Sequence, residues 1–126
     1  MLRETYITQT NCITPLGFDV ESNVEAILRG DSGIQLHNDI SLMPNPFYAS
    51  IITDEKINSA FSKISTETKY SRLEKMMILA LEPIIKNSGI EFNSKTAFIL
   101  STTKGNVTAL KDNTVDSFNN AHLDVL

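Results

Sequence analysis

One stretch constrains this chain more than any other. Between Ser71 and Asn87, Leu73, Met76, Met77, Ala80, Leu81, Ile84 and Ile85 recur at three- and four-residue spacing. An apolar stripe that wide belongs to a helix buried in a core. Pro83 falls inside it and removes the hydrogen bond to the Leu79 carbonyl, which predicts a kink. Gly89 supplies the stop. Whatever else the chain does, it must cover this helix.

Other segments supply candidates for that cover. Residues 3–13 read as a strand, because Thr5, Tyr6, Ile7, Thr8, Thr10 and Ile13 favour a pleated surface. Thr14-Pro15-Leu16-Gly17 ends it in a turn. Asp19 then caps a helix whose stripe is Val20, Val24, Ile27 and Leu28. Glu21 and Glu25 lie towards its N-terminus, Arg29 lies at its C-terminus, and Gly30 follows as the stop. Residues 31–45 read as loop and Phe47 to Thr53 as a short strand. Asp54 is the expected cap of a helix carrying Ile57, Ala60, Phe61 and Ile64. Thr96 to Ser101 is apolar through Ala97, Phe98, Ile99 and Leu100, the pattern of a strand buried on both faces. Val107 to Asp112 opens a further helix. The order strand, helix, strand, helix, helix, strand predicts an α/β fold, a mixed or parallel sheet with packed helices, in one unit. With 126 residues the chain is long enough for one core and short for two domains.

Charge and cysteine usage narrow the function classes. The net charge is −4 and the Lys and Arg residues are scattered, so no cationic field is available for nucleic acid. Apolar runs reach four residues, against about 20 for a membrane span. There is no signal-peptide pattern at the start, and the single thiol, Cys12, forms no internal disulfide, which fits a reducing, cytoplasmic setting. The sequon Asn106-Val107-Thr108 is therefore read as idle.

Residues with catalytic chemistry are sparse. Cys12 sits in a predicted strand without a cation or histidine beside it, and is read as structural. His37 and His122 are isolated, which excludes a metal site built by sequence spacing. Asp54, Glu55, Glu67, Asp112 and Asp116 read as caps or solvated charges. Lys104-Gly105 beside Thr102 and Thr103 lacks the glycine spacing of a phosphate loop, and no dinucleotide fingerprint is present. Met76 and Met77 are core packing. No catalytic, cofactor-binding or metal-binding residue is assigned, and no cofactor is expected.

Tyr6 to Gly17, with Phe18 to Ile34 after it, adds to this reading. The segment resembles the N-terminus of the β-ketoacyl-acyl carrier protein synthases, members of the thiolase-like condensing enzymes. In that family a first strand runs into Val-Thr-Pro-Leu-Gly, and a helix then ends in Leu-x-x-Gly-x-Ser-Gly-Ile. The matching residues are Ile13 to Gly17 and Gly30, Ser32, Gly33 and Ile34, with Leu28 one position nearer Gly30 than the pattern places its Leu. Ser71-Arg72 with the Met76 to Gly89 helix is similar to the family's second long helix. Lys95 to Ser101 is similar to the strand before its glycine-rich loop. Gln9 and Asn11 stand where the family usually has glycines, and Thr102 to Asn106 replaces the glycine-rich loop.

The resemblance covers about residues 3–106. It implies that residues 1–126 form the N-terminal portion of a synthase-like domain, with an incomplete thiolase-like fold. It implies a parent acyltransferase that condenses an acyl thioester with malonyl-acyl carrier protein, in fatty acid or polyketide synthesis. Its partners would be acyl carrier protein, acyl thioesters and a second synthase-like chain in a homodimer or heterodimer. The family's nucleophilic Cys and the two His, or His and Asn, that assist it lie downstream of all these segments, so none is carried onto this chain. The alternative expectation is a non-catalytic half-fold that serves as an interaction module or as the partner of a full synthase.

Overall fold

The computed structural model describes residues 4–106. In chain order it contains α1 (Val20–Leu28), β1 (Gln35–His37), β2 (Phe47–Ala49), α2 (Asp54–Phe61) and α3 (Arg72–Ser88). Among the described residues this is a small mixed α/β arrangement of three helices and one two-stranded sheet. The predicted helix over 107–112 lies outside the described residues.

The sheet differs from expectation. β1 and β2 pair antiparallel, Gln35 opposite Ala49, Leu36 opposite Tyr48 and His37 opposite Phe47. β1 falls within the predicted 31–45 loop, because three residues are too few to show a period of two. β2 stops at Ala49, four residues short of the predicted end, where the chain turns towards the cap of α2. The predicted strands at 3–13 and 96–101 are not strands. Residues 4–10 and 91–105 are exposed throughout, and 96–101 is not buried on either face. A strand exists only where another backbone pairs with it, and neither segment finds one among the described residues. The predicted parallel sheet is accordingly absent there.

The helices follow their local signals closely. Asp19 caps α1, accepting from the Ser22 amide at 2.7 Å. At its other end Gly30 N–H donates to the Ile27 carbonyl and Asp31 N–H to the Ala26 carbonyl, both at 2.9 Å, with Gly30 at φ 82°. Those two bonds are the Schellman pattern, and the left-handed residue in it is the glycine the sequence offers. α2 is capped by Thr53 rather than Asp54: Thr53 is extended and its hydroxyl accepts from Lys56 N–H at 3.3 Å. Asp54 becomes the first helical residue, where an acid suits the positive end. Ser71 caps α3 in a reciprocal box with Glu74, and Gly89 ends it at φ 64°. α3 runs unbroken through Pro83.

The core sits between α2 and α3. Ile52, Ile57, Phe61 and Leu79 are buried, and Ile13, Phe18, Ala60, Tyr70, Met76 and Ile78 pack around them. The Tyr70 ring meets Phe61 edge-on, with centroids 5.6 Å apart. Arg72 clamps the unit: its guanidinium donates to the Ile52 carbonyl at 2.7 Å and also pairs with Asp54. One predicted face is shifted and another is reversed. On α3 the deepest residue is Leu79, outside the predicted stripe, while Ile85 is exposed. On α1 the buried residues are Asn23 and Ala26, and the predicted stripe of Val20, Val24, Ile27 and Leu28 faces outward, with Leu28 at 82% exposure. No helix among the described residues is long and apolar enough to cross a membrane.

Candidate functional site

The reversal of α1 has a local cause, and it lies in the Thr14-Pro15-Leu16-Gly17 turn. Thr14 N–H donates to the Gly17 carbonyl at 2.9 Å, and Gly17 N–H returns a bond to the Thr14 carbonyl at 3.2 Å. This small loop presents a cluster of carbonyl oxygens to the first turn of α1. Asn23, 4% exposed, answers it. Its Nδ2 donates to the Asp19 carbonyl at 2.6 Å, the Gly17 carbonyl at 3.0 Å and, at longer range, the Cys12 carbonyl at 3.5 Å. Its Oδ1 accepts from the Thr14 hydroxyl. That hydroxyl accepts in turn from Leu16 N–H at 3.1 Å. One buried amide thus satisfies the turn, and a buried polar group with full partners fixes orientation.

Two glycines let the pieces meet. A Cβ on Gly17 would lie 2.1 Å from the Ser22 Oγ and 2.8 Å from the Ser22 Cβ, so the turn can rest on α1 only with no side chain there. A Cβ on Gly33 would lie 3.2 Å from the Ser50 Oγ and 3.5 Å from the Pro15 Cβ. Gly33 therefore joins the turn to the chain following β2. The two motif segments, Thr14 to Gly17 and Gly30 to Ile34, are brought together by packing.

Beside this junction lies a hollow of about 70 Å³ lined by Pro15, Leu16, Ser32, Gly33, His37 and Lys56, among others. Small-molecule sites usually span about 300 Å³ or more, so this one has room for water and little else. His37 is fixed within it. Its Nε2–H donates to the Ala49 carbonyl at 3.2 Å, and its ring stacks on Phe47 at 5.5 Å. A carbonyl can only accept, so the proton is on Nε2. That bond occupies the nitrogen and gives His37 a structural task.

The remaining candidates separate. Cys12 is half-buried and its thiol makes no hydrogen bond among the described residues. Asp54 is held by Arg72, and Glu67 pairs with Lys69 at 2.7 Å. The Glu67 carboxylate, by hydrogen bond and charge, raises the Lys69 pKa above the usual lysine value. Glu55 lies exposed in the first turn of α2. Thr102 accepts from Gly105 N–H at 3.1 Å, so that loop is tied internally and shows no phosphate cradle. His122, Asp112 and Asp116 lie outside the described residues. Among the described residues no group of three His, Cys, Asp or Glu is placed to hold a metal ion.

Two shifted carboxylates are caps of local turns. Asp19 is lowered because Ser22 donates both its amide and its hydroxyl to the carboxylate. Asp39 is lowered for the same reason by the Ser41 hydroxyl and amide. The residue that sequence reasoning missed is Asn23. Its signal was available as an Asn four residues after a cap, on the flank of an apolar stripe. What the arrangement accomplishes is positioning, with no nucleophile and base brought within reach of each other. No family model matches this chain, and no curated protein or solved structure matches it either.

Proposed function

We propose that this chain is the N-terminal part of a condensing enzyme of the β-ketoacyl-acyl carrier protein synthase type. Its parent joins an acyl thioester to malonyl-acyl carrier protein in the cytoplasm, working as a homodimer or with a synthase-like partner. An activated Cys elsewhere in that parent would carry the acyl group, and backbone N–H groups would hold the oxyanion. The residues of this chain contribute scaffold.

One observation carries the reading. Residues 5–10 and 97–101 are β-prone, and their backbones make no hydrogen bonds among the described residues. Phe98, Ile99 and Leu100 are all exposed. Leaving such side chains in water forgoes roughly 1.5–3 kcal/mol each. Two unpaired strand-like segments beside a helical core are what half of a sheet leaves over. The outward apolar face of α1 supports the same reading, because it too lacks cover.

That α1 face also favours a second reading, a non-catalytic module that pairs with itself or with a complete synthase. The reading frame beyond the Leu126 codon separates the two. A frame that continues into a Cys in a small-residue turn, with two later His, is the expected result. A frame that continues without that Cys makes the parent a partner subunit. A stop codon at that place would sink the enzymatic proposal and leave the binding module.

A further inference from the structure

α3 is apolar on more than one face. Leu79, Met76 and Ile78 serve the core, yet beside them Ile78, which borders both, lines an open groove of about 370 Å³ with Leu81 and Ile85. Its rim is the ion pair of Glu82 and Lys86. A helix that is hydrophobic around most of its circumference requires burial on both sides, and only one side has it.

The chain that follows α3 is held beside the same helix at both ends. It leaves α3 at Gly89 and folds into a tight turn, where Thr96 N–H donates to the Asn93 carbonyl at 2.9 Å and the Thr96 hydroxyl donates to the Glu91 carbonyl at 3.0 Å. At its far end the Asn106 side chain donates to the Ser71 hydroxyl, the N-cap of α3, at 2.9 Å. The 17 residues of α3 span roughly 26 Å at 1.5 Å each. Residues 90–105 reach about 50 Å when extended, so the segment runs the length of the helix with slack. Between its two anchored ends, Ala97 to Ser101 makes no hydrogen bond among the described residues and Ile99 is 88% exposed.

We infer that residues 97–101 are a strap whose apolar side chains seat in the Ile78–Leu81–Ile85 groove of α3 in the same molecule. Both partners are apolar and uncovered, and the tether at Ser71 keeps them adjacent. Successive residues of an extended strap point to opposite sides, so Phe98 and Ile99 cannot both face the helix. The inference shares the exposure of residues 97–101 with the proposed function. Its test reads side-chain seating on α3 while the other reads the coding frame, so either can fail without the other.

Two variants in a Cys12→Ser background, Leu81→Cys/Phe98→Cys and Leu81→Cys/Ile99→Cys, test it under mild oxidation at low protein concentration. One variant should form an intrachain disulfide and the other should not, with the difference lost in urea. Methyl and ring nuclear Overhauser contacts from Leu81 and Ile85 to Phe98 or Ile99 read the same seating in the unsubstituted protein. Intrachain closure by one variant, or those contacts, supports the strap. Disulfide-linked dimers alone, or no closure together with no contacts, overturn it.

Discussion

Replacing Asn23 by Ala separates two opposed accounts of α1. In the structure Asn23 is 4% exposed and bonds four groups of the preceding turn. Truncation does not orphan all of them. The Gly17 carbonyl keeps Thr14 N–H, and the Asp19 carbonyl keeps Asn23 N–H. The Cys12 carbonyl and the Thr14 hydroxyl proton lose their partners. A buried group left without a partner costs about 1–3 kcal/mol. Cys12 and Thr14 are half-buried, which places each near the lower end. The expected loss is then about 2 kcal/mol, against a total of 5–15 kcal/mol for an ordinary domain. Asn23→Asp should cost more at neutral pH, because it points a buried carboxylate at three carbonyl oxygens with no cation to meet it. Leu28→Ala, on the outward face, should change stability by no more than about 0.5 kcal/mol. Urea unfolding followed by far-ultraviolet circular dichroism ranks the three. An α1 that buried its apolar stripe would reverse the order, with Leu28→Ala costing about 2–5 kcal/mol and Asn23→Ala almost nothing. That reversed order would refute the reasoning.

Gly17→Ala should destabilise by more than about 1 kcal/mol through the overlap with Ser22, and a second change, Ser22→Gly, should recover part of the loss in the same urea assay. Asp19 has a lowered carboxyl pKa in the folded chain, so its contribution is complete above the unfolded value of about 3.9 and fades as pH falls through the folded value. Asp19→Asn keeps the cap and removes this titration, so its stability should fall less steeply below about pH 4 than that of the parent chain. Arg72→Lys should lose stability even though charge is kept, because one ammonium cannot reproduce the fork that reaches both the Ile52 carbonyl and Asp54. Equal midpoints for Lys and Arg at 72 would show that only the charge matters there.

Helix ends were the legible part of this fold. Asp19, Gly30 and Gly89 act where their own side chains, or the lack of one, set the local backbone, and each does in the structure what its residue type permits. Thr53 against Asp54 was decided by a single residue, since adjacent cap formers compete and only one can be extended at the right place. Strands were poorly legible for the opposite reason. A β-prone run such as Thr96 to Ser101 states what its side chains tolerate, and a partner backbone decides the rest. β1, with only Gln35, Leu36 and His37, has no legible pattern and exists because Phe47 to Ala49 pairs with it.

The site was hidden by the same kind of dependence. Periodicity ranks positions by hydrophobicity, so it turned α1 by its valines and isoleucine. The turn at Thr14 to Gly17 ranks them by hydrogen bonding, and on that scale Asn23 is the residue it requires. Ala26 completes the choice: at 2% exposure it is small enough to let the helix approach closely, where Val24 or Ile27 would hold it away. Turning Asn23 inward satisfies the turn, and it leaves those four apolar side chains on the surface. In a protein assembled from further chain or a further subunit the two demands stop competing. There Asn23 would hold the turn from one side of α1 while Val20, Val24, Ile27 and Leu28 would take up cover on the other. A helix that satisfies both has one amide face and one apolar face, the division observed here.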